Sequence, residues 1–361
     1  MKIKKINKPL FMWAGGKTRM IKKYTESGLL PETSNLYNTV DNYVEPFFGG
    51  GAMFLHINKI FKPKTCTIND INPSIVNIYT SIKNNYEEFI EEVDILEERY
   101  IPMKKEDRKK YYYELRNQHA FEYTKWSKVK EASYLFFLMK TGFNGLWQIN
   151  KNTNNRFGTP SGLLHQKENV YDKDNVKFWS DILQSTTITC KNWKESIPEE
   201  KIKNSFYFLD PPYRGSFTSY GQTFDDQAQT DLVTFAKSVS DDSTVFLCND
   251  DVNDNFFQDI QGHLKIESYQ LKHTAGRRAT NADGTKSAKS VKEIVMYNNK
   301  INGSRDINKN TINVLNTPSG LLHQKENVND KEKNTIVNFL INTFLTTKDN
   351  LKSLIKDLTK S

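Results

Sequence analysis

Asp210-Pro211-Pro212-Tyr213 follows directly on the aromatic run Phe206-Tyr207-Phe208-Leu209, and this junction restricts the fold more than any other segment. The run reads as a buried strand. A strand that meets Asp-Pro-Pro must end there, because neither proline can donate to a sheet ladder. The prolines also hold the backbone extended and keep the Pro211 carbonyl in one direction. Asp210 therefore stands at the carboxyl end of a strand, where open α/β sheets bind their ligands. An acidic acceptor, a rigid carbonyl and an aromatic face within four residues suit an exocyclic amine on a planar base. Asp210 and Pro211 can each accept a hydrogen bond from that amine, and Tyr213 can stack on the ring, worth about 1–3 kcal/mol per base.

Further strands are expected at residues 42–46, 65–69 and 244–248, with a late strand at 292–297 pairing with 264–269. Helical patterns at 52–58, 73–84 and 226–238 separate most of them, so the sheet is α/β with crossover helices. From about residue 81 the strand pattern stops. Residues 86–100 and 110–117 read as charged helices, 131–140 as an apolar helix, and 141–162 as a Gly/Asn-rich loop. The expected organisation is one discontinuous domain (1–80 with 190–300), an inserted block at 81–189 and an extension at 301–361.

The extension carries a copy of part of the insert. Residues 149–173 recur at 307–331, with TPSGLLHQKENV identical at 159–170 and 317–328. Architectural repeats diverge and keep a short period, so this one reads as a recent partial duplication. Beyond it, Val337, Leu340, Ile341 and Phe344, then Leu351, Leu354, Ile355 and Leu358, keep helical spacing.

Charge and cysteine usage narrow the class. Lys and Arg number 51 against 43 Asp and Glu, a net +8 that favours a polyanionic partner, and the mixture of signs argues against a disordered chain. Cys66, Cys190 and Cys248 are scattered, which indicates thiols in a reducing compartment and no metal cluster. No window approaches the roughly 18 apolar residues of a membrane helix. A cytoplasmic protein is expected. Abundant Asn, Lys and Ile suggest an AT-rich genome, bacterial or viral, the latter placing the protein in a host cell or virion.

Three further segments carry chemistry. Glu45-Pro46-Phe47-Phe48-Gly49-Gly50-Gly51-Ala52 joins a strand to a helix through glycines that let the backbone approach a ligand. The dinucleotide fingerprint is not met, since Met53 and Phe54 occupy its later positions. Asp70, 19 residues beyond Gly51, suits the hydroxyls of a ribose. Trp13-Ala14-Gly15-Gly16-Lys17-Thr18 is no phosphate loop, because position 11 is Phe11 and no buried strand precedes it. Lys17 can still approach a carboxylate, such as that of an amino-acid cofactor. The third segment runs from Gly142 to Asn150 and on to Arg156 and Gly158-Thr159-Pro160. Its amides suit adenine edges, its apolar residues can wedge into a base stack, and Lys140, Lys151 and Lys167 can meet phosphates.

Together, WAGGK at 13–17, EPFFGGG at 45–51, Asp70, FNGL at 143–146 and DPPY at 210–213 resemble the DNA adenine methyltransferase family. They stand in the order in which target recognition is inserted between the cofactor half and the catalytic motif. The resemblance covers residues 9–298. It implies a Rossmann-like S-adenosylmethionine-dependent sheet with an inserted, mainly helical target-recognition domain, acting on adenine N6 in double-stranded DNA.

The resemblance also implies roles for residues. Trp13, Lys17, Glu45, Phe47, Gly49, Asp70 and Asp210 would line the cofactor site, Lys17 near the methionine carboxylate and Asp70 on the ribose. Asp210, Pro211, Pro212 and Tyr213 would hold a flipped adenine for direct displacement, with no cysteine nucleophile. Phe143, Asn144 and Leu146 would enter the DNA stack, with Gln148, Asn150 and Pro160 on the same DNA-facing loop. Gln148 stands where many family members carry an arginine, and glutamine suits adenine better than guanine. N4-cytosine methylation, a non-catalytic DNA-binding protein on this fold, and methylation of RNA or protein glutamine are the competing readings. A cognate restriction endonuclease is a candidate companion. The sequence leaves that companion and the oligomeric state open.

Overall fold

The computed structural model describes residues 7–13, 15–31, 39–145, 147–162, 168–198, 203–214, 224–272, 279–280, 286–287 and 290–298. Leu146, Lys167 and the 301–361 extension with its duplicated segment lie outside the described residues. The chain forms α1 (Thr18–Glu26), β1 (Asn42–Glu45), α2 (Ala52–Ile60), β2 (Thr65–Asn69) and α3 (Pro73–Asn84). Helices α4 (Tyr86–Tyr100), α5 (Lys105–Glu122) and α6 (Lys128–Thr141) follow, then a small hairpin of β3 (Ile149–Asn150) and β4 (Arg156–Phe157). Next come α7 (Lys173–Leu183), β5 (Thr186–Thr189), α8 (Trp193–Ser196), β6 (Ser205–Leu209) and α9 (Asp226–Val239). β7 (Thr244–Asp250), α10 (Phe256–Ile260), β8 (Lys265–Lys272), the short pair β9 (Ala279–Thr280) and β10 (Lys286–Ser287), and β11 (Ser290–Tyr297) complete them.

Among the described residues, seven strands make one sheet in the order β5-β2-β1-β6-β7-β11-β8. The first five are parallel, and β11 runs antiparallel to both β7 and β8. From β1 the chain steps outward to β2 and β5, then returns to pair β6 on the other side of β1. That reversal opens a crevice at the carboxyl ends of β1 and β6, the place where such sheets bind ligands.

Period-two alternation sends the apolar residues of β6 and β7 to both faces of the sheet. Phe206 and Phe208, with Phe246 and Cys248, join one core; Tyr207 and Leu209, with Val245 and Leu247, join the other. Both faces are covered, α1 to α7 contributing to the first core and α8 to α10 to the second. Parallel strands buried on both faces read as continuous apolar runs, as these do. Local signals set the helices: in α3, Asn72 accepts from Ser74 N at 3.1 Å, Pro73 occupies the first turn, and Ile75, Ile78, Tyr79 and Ile82 form the buried stripe.

The expected α/β sheet with a helical insertion is what the chain adopts. Just before residue 190, Thr186–Thr189 pairs with β2 as an edge strand, and α7 before it carries Trp179 into the sheet's core. This strand is polar and four residues long, because an edge needs few apolar groups. The helices of the insert share that first core, through Phe89, Tyr112, Leu135 and Phe136. Among the described residues, no helix is long and apolar enough to cross a membrane.

Candidate active site

Three acidic side chains stand at the carboxyl ends of neighbouring parallel strands: Glu45 on β1, Asp70 after β2 and Asp210 after β6. Glu45 is buried and accepts from the Tyr43 hydroxyl at 2.7 Å. Burial pushes its carboxyl well above the usual range, against the pull of that hydrogen bond. Asp70 accepts from Gly49 N and Asn72 N, both at 2.8 Å, and burial outweighs these donors to raise it as well. The Gly49 contact ties the glycine turn after β1 to the acid after β2, and Tyr79 donates to the Gly49 carbonyl at 3.0 Å.

The turn needs its glycines. Gly49 has φ +50°, and a Cβ there would lie 2.5 Å from Trp13 Nε1; Gly51 has φ +67°, and a Cβ would meet Phe48 and Trp179 at 2.7 Å. Trp13 thus lies over the turn. Phe47 is half-buried, 5.7 Å from Phe224 and 6.3 Å from Trp193 between ring centroids.

Lys17 lies among the strand-end acids. Its ammonium sits 2.8 Å from Asp210 Oδ2, donates to the Gly15 carbonyl at 2.8 Å, and lies 4.9 Å above the Tyr213 ring. The residues expected near a cofactor's carboxylate and at the base pocket are therefore in one ion pair. A buried ammonium takes the nearest anion, since its charge cannot be left unpaired away from water. Burial opposes that charge, but Asp210 and Glu293 overcome it and raise the lysine.

Asp210 itself is pushed up to about 6, by burial first, with Lys17 pulling it down and Glu293 adding to the rise. Methyl transfer is accordingly expected to fall as pH drops through about 6, where an ordinary aspartate would hold to near 3.8. The sign separates this loss from unfolding. An acid raised in the folded state binds protons more readily there than when unfolded, so this group's protonation adds stability. A rate–pH profile beside thermal melts checks it; a rate unchanged down to about pH 5 would contradict it.

The insert brings its expected residues to one exposed edge. Phe143, Asn144, Gln148, Asn150 and Pro160 are all exposed. Phe143 N donates to the Pro160 carbonyl at 2.9 Å and Gly158 N to the Gln148 carbonyl at 2.7 Å, which closes the loop on itself. Asn150 Oδ1 caps Asn152 N at 2.8 Å, so part of this side chain holds the hairpin. Trp147 links the edge to the Trp13 segment, 5.4 Å from Phe157 and 6.0 Å from Trp13 between ring centroids.

Two basic residues of this region turn inward. Arg156 pairs with buried Glu131 at 2.6 Å and lies 3.4 Å over the Tyr123 ring. Lys140 donates to the Leu10 carbonyl at 3.2 Å. Of the three lysines expected near phosphates, Lys151 is exposed. Glu293 and Tyr24 were not legible as site residues. They meet at 2.8 Å, with Glu293 near enough to act on both Lys17 and Asp210, from β11 and α1, and only an acidic residue within an apolar strand hints at it.

Acids at the strand ends on both sides of a switch point, with a reversed hairpin closing the far edge, place the chain in the Rossmann-like class of S-adenosylmethionine-dependent methyltransferases. The model of the D12 class N6 adenine-specific DNA methyltransferase family matches residues 13–279, and the chain belongs to that family. It is 30% identical over 297 residues to the Type II methyltransferase M.MjaIII of Methanocaldococcus jannaschii, covering 81% of this chain and 99% of that protein. It is 29% identical to the Type II methyltransferase M.CviBI of Paramecium bursaria Chlorella virus NC1A, over 75% of this chain and 94% of that one. The DNA adenine methylase of Haemophilus influenzae is 26% identical, over 82% and 95% respectively. Membership in this family decides for adenine over cytosine, RNA or protein as the target.

Proposed function

We propose that the chain methylates N6 of an adenine flipped out of duplex DNA, with Asp210 and the Pro211 carbonyl accepting hydrogens of the amine and Tyr213 stacking on the base. The observation that carries this reading is the placement of Asp210. Its carboxylate stands at the end of β6, ion-paired with Lys17 at 2.8 Å, beside the glycine turn that ends β1. Pro212 completes the rigid turn that aims the Pro211 carbonyl.

The residues present fit S-adenosylmethionine. Gly49 and Gly51 let the turn pass directly against Trp13, Phe48 and Trp179, where a Cβ would collide, so Trp13 closes on the strand-end acids. Glu45, Asp70 and Asp210 favour a cationic ligand over an anionic one. Trp13, Glu45, Phe47, Gly49 and Asp70 would hold it, Asp70 at the ribose, with Asp210 between cofactor and base. When bound, it supplies a methyl group already activated on a sulfonium. The chain's own task is alignment and charge. Asp210 orients the amine's lone pair and stabilises the positive charge that develops on nitrogen. Lys17 keeps Asp210 ionised near neutral pH. Phe143, Asn144, Gln148, Asn150 and Pro160, with Leu146, would contact the DNA, and Phe143 would take the space the base leaves; unstacking costs a few kcal/mol.

The test is direct. Incubation with unmethylated DNA and labelled S-adenosylmethionine, followed by nucleoside mass spectrometry, is expected to yield N6-methyladenine alone. Label on cytosine, or none on DNA, would refute the reading.

A further inference from the structure

We infer that Asn249 and Gln229 are positioning residues for methyl transfer: two buried side-chain amides, joined head to tail, grip both peptide groups that flank Tyr213 and so fix the direction of its ring. The inference rests on the reading that Tyr213 faces the target base.

The turn after β6 is poor in ways of holding itself. Pro211 and Pro212 have no N–H to donate, so anchoring falls to carbonyls and to the first donors beyond them. The Arg214 N–H donates to Asn249 Oδ1 at 2.9 Å, and Asn249 Nδ2 donates to Gln229 Oε1 at 3.0 Å. Gln229 Nε2 then donates to the Pro212 carbonyl at 2.9 Å. The relay starts one residue after Tyr213 and ends one residue before it. Asn249 comes from β7 and Gln229 from α9, and both are fully buried.

Its polarity is not free to reverse. Asn249 Oδ1 also accepts from Asp250 N at 3.0 Å, so two backbone donors hold the oxygen on that side and turn the NH2 toward Gln229. The Arg214 side chain adds an outer restraint. Its Nε and Nη2 donate to Asp226 at 2.6 and 3.0 Å, its Nη1 pairs with Asp254, and its guanidinium lies 4.2 Å over Phe256. The half-buried Tyr213 thus stands between a rigid diproline and a rigid Arg214, with each adjoining peptide hydrogen-bonded to an amide. Misplacement of a reacting group by about 1 Å can cost roughly a hundredfold in rate, and this is the error the relay prevents.

Shape-preserving substitutions test it. Gln229→Glu keeps the contact with Asn249 but sets a carboxylate oxygen against the Pro212 carbonyl. Asn249→Asp forces the Gln229 amide to turn over, which opposes the same carbonyl with Oε1. Gln229→Met removes the donor without adding charge. In single-turnover assays on plasmid DNA, all three are expected to be roughly ten- to hundredfold slower while binding S-adenosylmethionine within about twofold of the wild type. Lowering the pH separates positioning from general damage. Once protonated, the carboxyl group introduced by Gln229→Glu donates its O–H to the Pro212 carbonyl. The rate of Gln229→Glu relative to wild type at each pH should therefore rise from about pH 8 to about pH 6, and that of Gln229→Met should not. Wild-type rates in all three variants would overturn the relay and leave the reading of Asp210 intact. So would slow rates accompanied by lost cofactor binding and no pH response. A wild-type protein that makes no N6-methyladenine would overturn both.

Discussion

Asp210→Ala is expected to slow methyl transfer by roughly 10²–10³-fold, the usual cost of removing one preorganised group that meets developing charge. Cofactor affinity should change little, because the glycine turn, Glu45 and Asp70 remain. A second effect follows from the ion pair. Lys17 is buried, and Asp210 is its carboxylate partner at 2.8 Å. Removing one member of a buried pair costs about 3–5 kcal/mol, because the other is left charged and unpaired. The double variant Asp210→Ala with Lys17→Met should therefore regain much of the lost stability and none of the activity. Single-turnover kinetics, equilibrium dialysis with labelled cofactor and urea denaturation measure the three quantities separately. An alanine variant within about tenfold of the wild-type rate would remove Asp210 from the mechanism.

An effect on stability of similar size is expected at Trp179. This side chain is fully buried, stacked 5.7 Å from Phe54 and tilted 5.5 Å from Tyr79, and its Nε1 donates to the Lys8 carbonyl at 3.0 Å. Truncating such a residue to alanine costs about 3–5 kcal/mol in transfer energy and residual cavity, a large share of the about 5–15 kcal/mol that holds a domain together. Trp179→Ala should shift the urea midpoint down accordingly. It should also weaken cofactor binding, since the ring lies where a Cβ on Gly51 would meet it, directly beneath the glycine turn. A midpoint near wild type would mean that α7 is a peripheral helix, as a boundary at 189/190 would have it.

The parts of this molecule legible in its sequence are those set by near neighbours. The strand before Asp210 is visible because five consecutive buried residues and two prolines leave no other conformation. The glycine turn, the Asn72-capped α3 and the late pairing of β11 with β8 are visible for similar reasons. The edge strand at 186–189 was hidden by its polarity. α7 was hidden because its stripe resembles that of any surface helix, and nothing local says that Trp179 faces a sheet more than a hundred residues away in sequence.

Charged groups divide the same way. Spacing shows that Lys17, Arg156 and Lys140 are basic and near motifs, but not what each will meet. Lys17 meets Asp210 from 193 positions away, Arg156 meets Glu131 on α6, and Lys140 meets the Leu10 carbonyl. The chain's own order of residues determined where strands stop, where the backbone bends sharply and which side chains stand at the strand ends, because hydrogen-bonding capacity and steric range act within a few residues. Tertiary structure alone decided the partners, and thereby which cations are paired inside the fold and how the turn after β6 is held. A buried charge or amide must be satisfied by whatever the folded chain places within about 3 Å.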